Sequence, residues 1–219
     1  MMRSILSVVG LLAWAGVSQA AVLPLVHTGA GGAANGSIDP NWTVGGPISG
    51  ATYVIADEGQ YPFPAWLGSS PGSPSQWISV APGPEASPVG TYTFRTTLDL
   101  TGLDPSTTVV SGRWAADNTG HIAVNGVPLG FDALGGSNPY PEGFHDWTNF
   151  NLAGVFAPGV NTIDFVVDNV DHASPVGLRV ELSGSASAGG QQTPEPASLL
   201  VFGLVAGAGA WRRRRAAEA

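Results

Sequence analysis

Three oxygen-bearing side chains stand close together in this sequence at positions where a hard cation could be held: Asp117, Asn118 and Asn125. They form the densest polar cluster beside a predicted strand end. Ca2+ takes six to eight oxygen ligands, so a structural Ca2+ here would need further oxygens. The same residue types are turn formers that satisfy their own backbone, and that is the preferred reading of the cluster. A second chemistry is stacking, because sugar rings lie on flat apolar faces. Trp66 and Trp77 sit in a Pro-rich stretch, and Tyr140 and Trp147 in the long loop after Asn125-Gly126. Tyr61 offers a similar face. Loops are where ligand contacts concentrate, so Trp66, Trp77, Tyr140 and Trp147 are the candidate sugar platforms. Trp114 falls mid-strand and is expected in the core, as aromatic side chains of a small sandwich usually are.

Other chemistries are poorly supplied. Glycoside hydrolysis needs two carboxyl groups about 5–10 Å apart in a cleft, and nothing pairs Glu58, Glu85, Glu142 and Glu181. Asp164 and Asp168 share a strand face and read as solvated. His121, His145 and His172 are scattered, without the spacing of zinc ligands. The chain has no cysteine, which excludes thiol catalysis, thiolate metal sites and disulfides. It also lacks a Gly-x-Ser-x-Gly elbow and a phosphate-cradling loop. The expectation is a protein without catalytic activity.

Charge narrows the partners. Acidic residues number 16 against 8 basic ones. Five of the basic residues, Arg3 and Arg212 to Arg215, lie at the two ends, which leaves Arg95, Arg113 and Arg179 in the body. Such a surface repels nucleic acid and anionic lipid. It suits extracellular life, divalent cations or neutral polysaccharide.

The elements that must position these residues are strands. Thirty-one glycines and 18 prolines punctuate the chain, and no long stretch carries a helical period. Short runs of Val, Ile, Thr and aromatics bounded by turn residues predict an all-β domain. The run from Gly90 to Leu100 places Tyr92, Phe94, Thr96, Leu98 and Leu100 on one face, against Thr93, Arg95, Thr97 and Asp99 on the other. Further strands are expected at 42–44, 51–56, 107–115, 120–124, 149–156, 162–169 and 177–182. Asn125-Gly126 marks a hairpin, since both residues accept positive φ. The Pro-rich excursion from Gly59 to Pro88 is expected to wrap over the sheets. Short strands about ten residues apart indicate a two-sheet sandwich over residues 22–184. A Gly/Ser/Ala linker follows at 185–193.

Both ends look like addresses. Arg3, an apolar stretch from Ile5 to Val17 and the small residues Ser18-Gln19-Ala20 form a secretory signal peptide, residues 1–20, with cleavage expected after Ala20 or Ala21. At the other end Pro194-Glu195-Pro196 precedes an apolar run from Ala197 to Trp211, then Arg212-Arg213-Arg214-Arg215. The apolar run partitions into a bilayer, and the arginines act as a cytoplasmic stop. As a helix, the run would rise about 22 Å against a hydrocarbon core of about 30 Å. That shortness fits a transient processing substrate better than a permanent anchor.

This order of motif, span and basic cluster over residues 194–215 resembles the PEP-CTERM sorting signal of Gram-negative bacteria. The resemblance implies an exosortase-type processing protease as partner, besides signal peptidase. It also implies a precursor tethered to the inner membrane by its C-terminal helix, then delivery to the cell envelope, surface or exterior. The body, through Thr91-Tyr92-Thr93-Phe94-Arg95, Gly112-Arg113-Trp114, Ile122-Ala123-Val124-Asn125-Gly126 and Pro158-Gly159-Val160-Asn161, is similar to galactose-binding-like jelly rolls. That likeness implies a single jelly-roll-like β-sandwich, flanked by the N-terminal signal helix and the C-terminal hydrophobic helix, and a structural calcium. The functional expectation is an exported surface or matrix protein associated with exopolysaccharide or biofilm. The alternative is a lectin-like module that uses its loop aromatics.

Overall fold

The computed structural model describes residues 20–68, 72–83, 85–133, 143–170 and 174–189. The expected signal helix, the C-terminal helix, Tyr140, Pro194, Glu195, Pro196 and Arg212 to Arg215 lie outside these residues. Eleven strands follow one another: β1 (Ala20–Val22), β2 (Ile38–Gly45), β3 (Gly50–Ile55), β4 (Trp77–Ser79), β5 (Gly90–Asp99), β6 (Val109–Asp117), β7 (Thr119–Val124), β8 (Val127–Pro128), β9 (Thr148–Ala153), β10 (Val160–Asn169) and β11 (Gly177–Ser187). Among the described residues one 3-10 turn, Pro105–Thr107, is capped by Asp104.

All pairings are antiparallel, in the order β8-β7-β10-β5-β2-β3-β4-β11-β6-β9, with β1 on β11. The sheet curls so that its two halves face each other. Trp114 of β6 and Phe150 of β9 are far from Phe165 of β10 in that order, yet their ring centroids lie 5.3 and 5.8 Å from it. Trp42 closes the same cluster at 5.7 Å. The all-β sandwich expected from the short strands is therefore the fold.

Alternation in β5 works as its sequence demands. Tyr92, Phe94, Thr96 and Leu98 are buried while Thr91, Arg95, Thr97 and Asp99 are exposed. Asn125 (φ 51) and Gly126 (φ 78) form the β7–β8 turn, the two successive positive φ values of a primed hairpin.

Element bounds differ from the sequence reading in several places: β2 begins at Ile38, β6 runs on to Asp117, β9 ends at Ala153, and Trp77–Ser79 inside the Pro-rich excursion forms β4. Residues 185–187, expected in the linker, complete β11, which pairs with β1 over all three and with β6 at Ser185. The β1 ladder holds a Gly/Ser/Ala segment that composition alone marks as flexible, and Ala186 is buried. Asp164 is not on a solvated face either. It is buried, and Arg95, its cross-strand partner, grips it through two 2.7 Å hydrogen bonds from Nε and Nη2. The central position of β10 between β5 and β7 shelters its outer face.

The second half of the sandwich, β4-β11-β6-β9, buries part of its outer face as well. Residues 59–68 and 143–147 fold over it, as the Pro-rich excursion was expected to do. Ile55, Phe63, Trp66, Trp77 and Ala115 make a small second core there, with Leu67, Phe144 and Trp147 against it.

Candidate binding cleft

The cover is built from backbone bonds first. Ala65 and Trp66 donate to the Pro62 carbonyl, curling residues 62–66 into a tight turn. The Leu67 amide donates to the Phe144 carbonyl, joining the two loops. Gly143 bonds Asn118 and Ala116, so the second loop is fixed to the end of β6.

Trp66 and Trp77 are 2% and 0% exposed, which removes them as sugar platforms. They stack on each other at 4.3 Å between centroids, and Phe63 meets Trp66 edge-on. Their indole N–H groups are also committed, Trp66 to Oδ2 of Asp117 at 2.7 Å and Trp77 to the Leu67 carbonyl at 2.9 Å. A Pro-rich loop can bury its tryptophans when it lies across a sheet face with outward small residues, here Ala115 and Gly177. Trp147 is half-buried, with the guanidinium carbons of Arg113 and Arg179 at 4.4 and 5.0 Å from its ring centroid.

The oxygen cluster divides. Asn118 lies next to Asp117, and both are buried. Asn125 stands at the far end of β7, six residues and about 20 Å of strand away. Its Oδ1 accepts the Thr162 amide and its Nδ2 donates to Asn161. Oδ1 of Asn118 likewise accepts the Val170 amide. A Ca2+ ion needs several oxygens converging on one point, and these three do not fit it as a set. Among the described residues no group of three or more His, Cys, Asp or Glu side chains could hold a metal.

What the fold does bring together is Trp66, Asp117 and Asn118. With Tyr61, Pro62, Ala65, Phe144 and Ser174 they line a cleft of about 200 Å³. Tyr61 is 53% exposed and Phe144 partly so, while Asp117 and Asn118 are buried, which puts the aromatic rings at the mouth and the polar pair at the floor. Small-molecule sites usually run to 300 Å³ or more, so this cleft admits one small unit or the end of a chain. Tyr61 was visible in the sequence as an aromatic face in the Pro-rich stretch. Phe144 carried no such signal.

A separate polar network occupies the outer face of β6 and β11. Arg179 is buried and donates to the carbonyls of Leu67, Gly68 and Ser75 and to Oγ of Ser75. Burial pulls its guanidinium below the ordinary arginine range, and the charge of Arg113 adds to this while Glu181 and Glu58 oppose it. The Ser75 hydroxyl in turn donates a hydrogen bond to Oε1 of Glu181, and Nε of Arg113 donates to Oε2 at 2.7 Å. Burial pushes the Glu181 carboxyl up, but the hydrogen bonds from Arg113 and Ser75 and both arginine charges outweigh it and leave it below the usual range.

Comparison with known proteins adds the C-terminus. Residues 192–215 match the PEP-CTERM protein-sorting motif. The protein is therefore exported and surface-directed, with a motif that implies exosortase processing. No helix among the described residues is long and apolar enough to cross a membrane. No curated protein matches the chain. Among solved structures, the arabinose-bound α-L-arabinofuranosidase MgGH51 is similar over 75% of this chain at 16% identity and a TM-score of 0.40. This chain spans only 25% of that enzyme's length. CBM35 from Paenibacillus barcinonensis matches over 65% of this chain and 93% of its own, at 15% identity and a TM-score of 0.31. The enzymatically active domain of tailspike protein 4 from bacteriophage CBA120 matches over 65% of this chain and 19% of its own, at 17% identity and a TM-score of 0.35.

Proposed function

We propose that this protein is a non-catalytic envelope component that holds neutral saccharide units in the Tyr61–Phe144 cleft and so associates with exopolysaccharide at the cell surface. The observation that carries the reading is the pairing of two rings at the cleft mouth with a buried carboxylate and amide at its floor. Rings supply apolar contact to a sugar face, over a polar floor formed by Asp117 and Asn118. The cleft is small and its cover is pinned by backbone bonds, which suits recognition of a terminal residue.

In this reading signal peptidase removes residues 1–20 in a Gram-negative host. The apolar span then holds the precursor in the inner membrane until exosortase processing frees the body. This reading calls on no Ca2+, since Asn125 stands at the far end of β7 from Asp117 and Asn118.

A broad array of neutral glycans, probed with the mature protein, tests the proposal. Binding should fall about tenfold or more for Tyr61→Ala, a loss of at least about 1.4 kcal/mol, with the melting temperature kept. Failure to bind any neutral glycan, or equal binding by Tyr61→Ala, contradicts it and leaves a purely structural role.

A further inference from the structure

A second groove lies away from the cleft, on the outer face of β6, β9 and β11. It measures about 540 Å³ and includes His27, Ser111, Arg113, Asn149, Glu181 and Ser183 in its lining. Its chemistry differs from that of the cleft because it is rich in donors.

Arg113 sets that character. Of the three body arginines, Arg95 spends Nε and Nη2 on Asp164, and Arg179 spends Nε, Nη1 and Nη2 on the loop and Ser75. Arg113 commits only Nε, to Glu181, and its side chain is 45% exposed. Among the described residues Nη1 and Nη2 of Arg113 have no hydrogen-bond partner, so one edge of a planar fork is open. That edge is the geometry that takes a carboxylate through two parallel bonds. The ring of Trp147 lies against the guanidinium and helps to hold it in place.

Neighbouring groups extend the donor set. His27 accepts the Leu182 amide at Nδ1, which puts the proton of the neutral ring on Nε2. Ser111, Ser183 and the exposed Asn149 add hydroxyl and amide groups of the kind that bond sugar hydroxyls. The groove thus offers one anion-reading fork surrounded by hydroxyl-reading groups. A peptide carboxylate would use the fork but leave most of the rest idle.

We propose that the Arg113 groove is a binding site for a carboxylate-bearing sugar, a uronate unit, distinct from the neutral-sugar cleft. The net charge of −8 over the chain repels a polyanion at long range, so recognition is local and takes single uronate units. The proposal does not depend on the cleft, since the two sites share no residue and differ in the charge of the ligand.

Calorimetric titration of the mature protein with tetragalacturonate, its methyl ester and tetraglutamate provides the test. Tetragalacturonate should bind, the ester should bind at least tenfold more weakly, and tetraglutamate should not compete. Arg113→Gln should abolish the difference between acid and ester, and Asn149→Ala, which leaves the Glu181 ion pair intact, should weaken tetragalacturonate severalfold. Tyr61→Ala should leave it unchanged. Equal binding of acid and ester, equal binding by Asn149→Ala and the parent, or tetraglutamate binding as tightly as the sugar would overturn the proposal; the last would make the groove an acidic-peptide site.

Discussion

Trp66 occupies the space that any side chain at position 177 would need. A Cβ on Gly177 would overlap Cη2 of Trp66 and stand 2.7 Å from Cζ2 and 2.9 Å from Cζ3. Glycine in β11 therefore lets the loop tryptophan approach the strand closely, and that tryptophan in turn holds Asp117 at the cleft floor. Gly177→Ala should push the ring outward and cost about 1–3 kcal/mol by overpacking. Chemical denaturation measures the loss, and a red shift of the tryptophan emission should accompany it.

Arg179 ties Leu67, Gly68 and Ser75 to β11 through four hydrogen bonds. Arg179→Met keeps much of the volume but strands the carbonyls of Gly68 and Ser75, leaves Leu67 with the Trp77 indole alone, and removes a charge partner of Glu181. The expected cost is about 3 kcal/mol or more, read as a lower denaturation midpoint. An unchanged midpoint would mean that the loop is held by its tryptophans alone.

Acid should weaken the fold partly through Glu181. Its folded pKa is lowered, so its contribution is fully present above the ordinary glutamate value of about 4.3 and is lost as pH falls through the lowered one. Asp99 and Asp104, lowered by hydrogen bonds from Thr101 and Ser106, act in the same direction. Melting temperature against pH should therefore drop below about pH 4, and more shallowly in Glu181→Gln than in the parent. Identical slopes would remove Glu181 from the account.

Asn125 is a structural turn residue with both amide atoms in use. Asn125→Ala should cost about 1–2 kcal/mol through the lost bonds and the positive φ. Adding Ca2+ or a chelator should leave the melting temperature of the parent unchanged. A rise with Ca2+ would mean that oxygens other than this trio converge on an ion.

Much of the framework was legible in the sequence because strand alternation and turn chemistry are local. Tyr92, Phe94 and Leu98 declare a buried face by their spacing, and Asn125-Gly126 declares its hairpin. The sites were less legible because they depend on which segments meet across the fold. Trp66 and Trp77 sit among prolines and look exposed, and only the outward small residues Ala115 and Gly177 reveal a bed for them. The end of β11 was missed for a similar reason, since Ser185 and Ser187 have partners only once β1 and β6 lie alongside. The Arg113–Glu181 pair had one usable signal: a body with three arginines and many acids should pair each arginine.

Affinity electrophoresis through a gel cast with the host's neutral exopolysaccharide tests the cleft most directly. The mature protein should be retarded and Tyr61→Ala should not, with both melting at the same temperature. Equal retardation of the two, or none in either, would contradict the account.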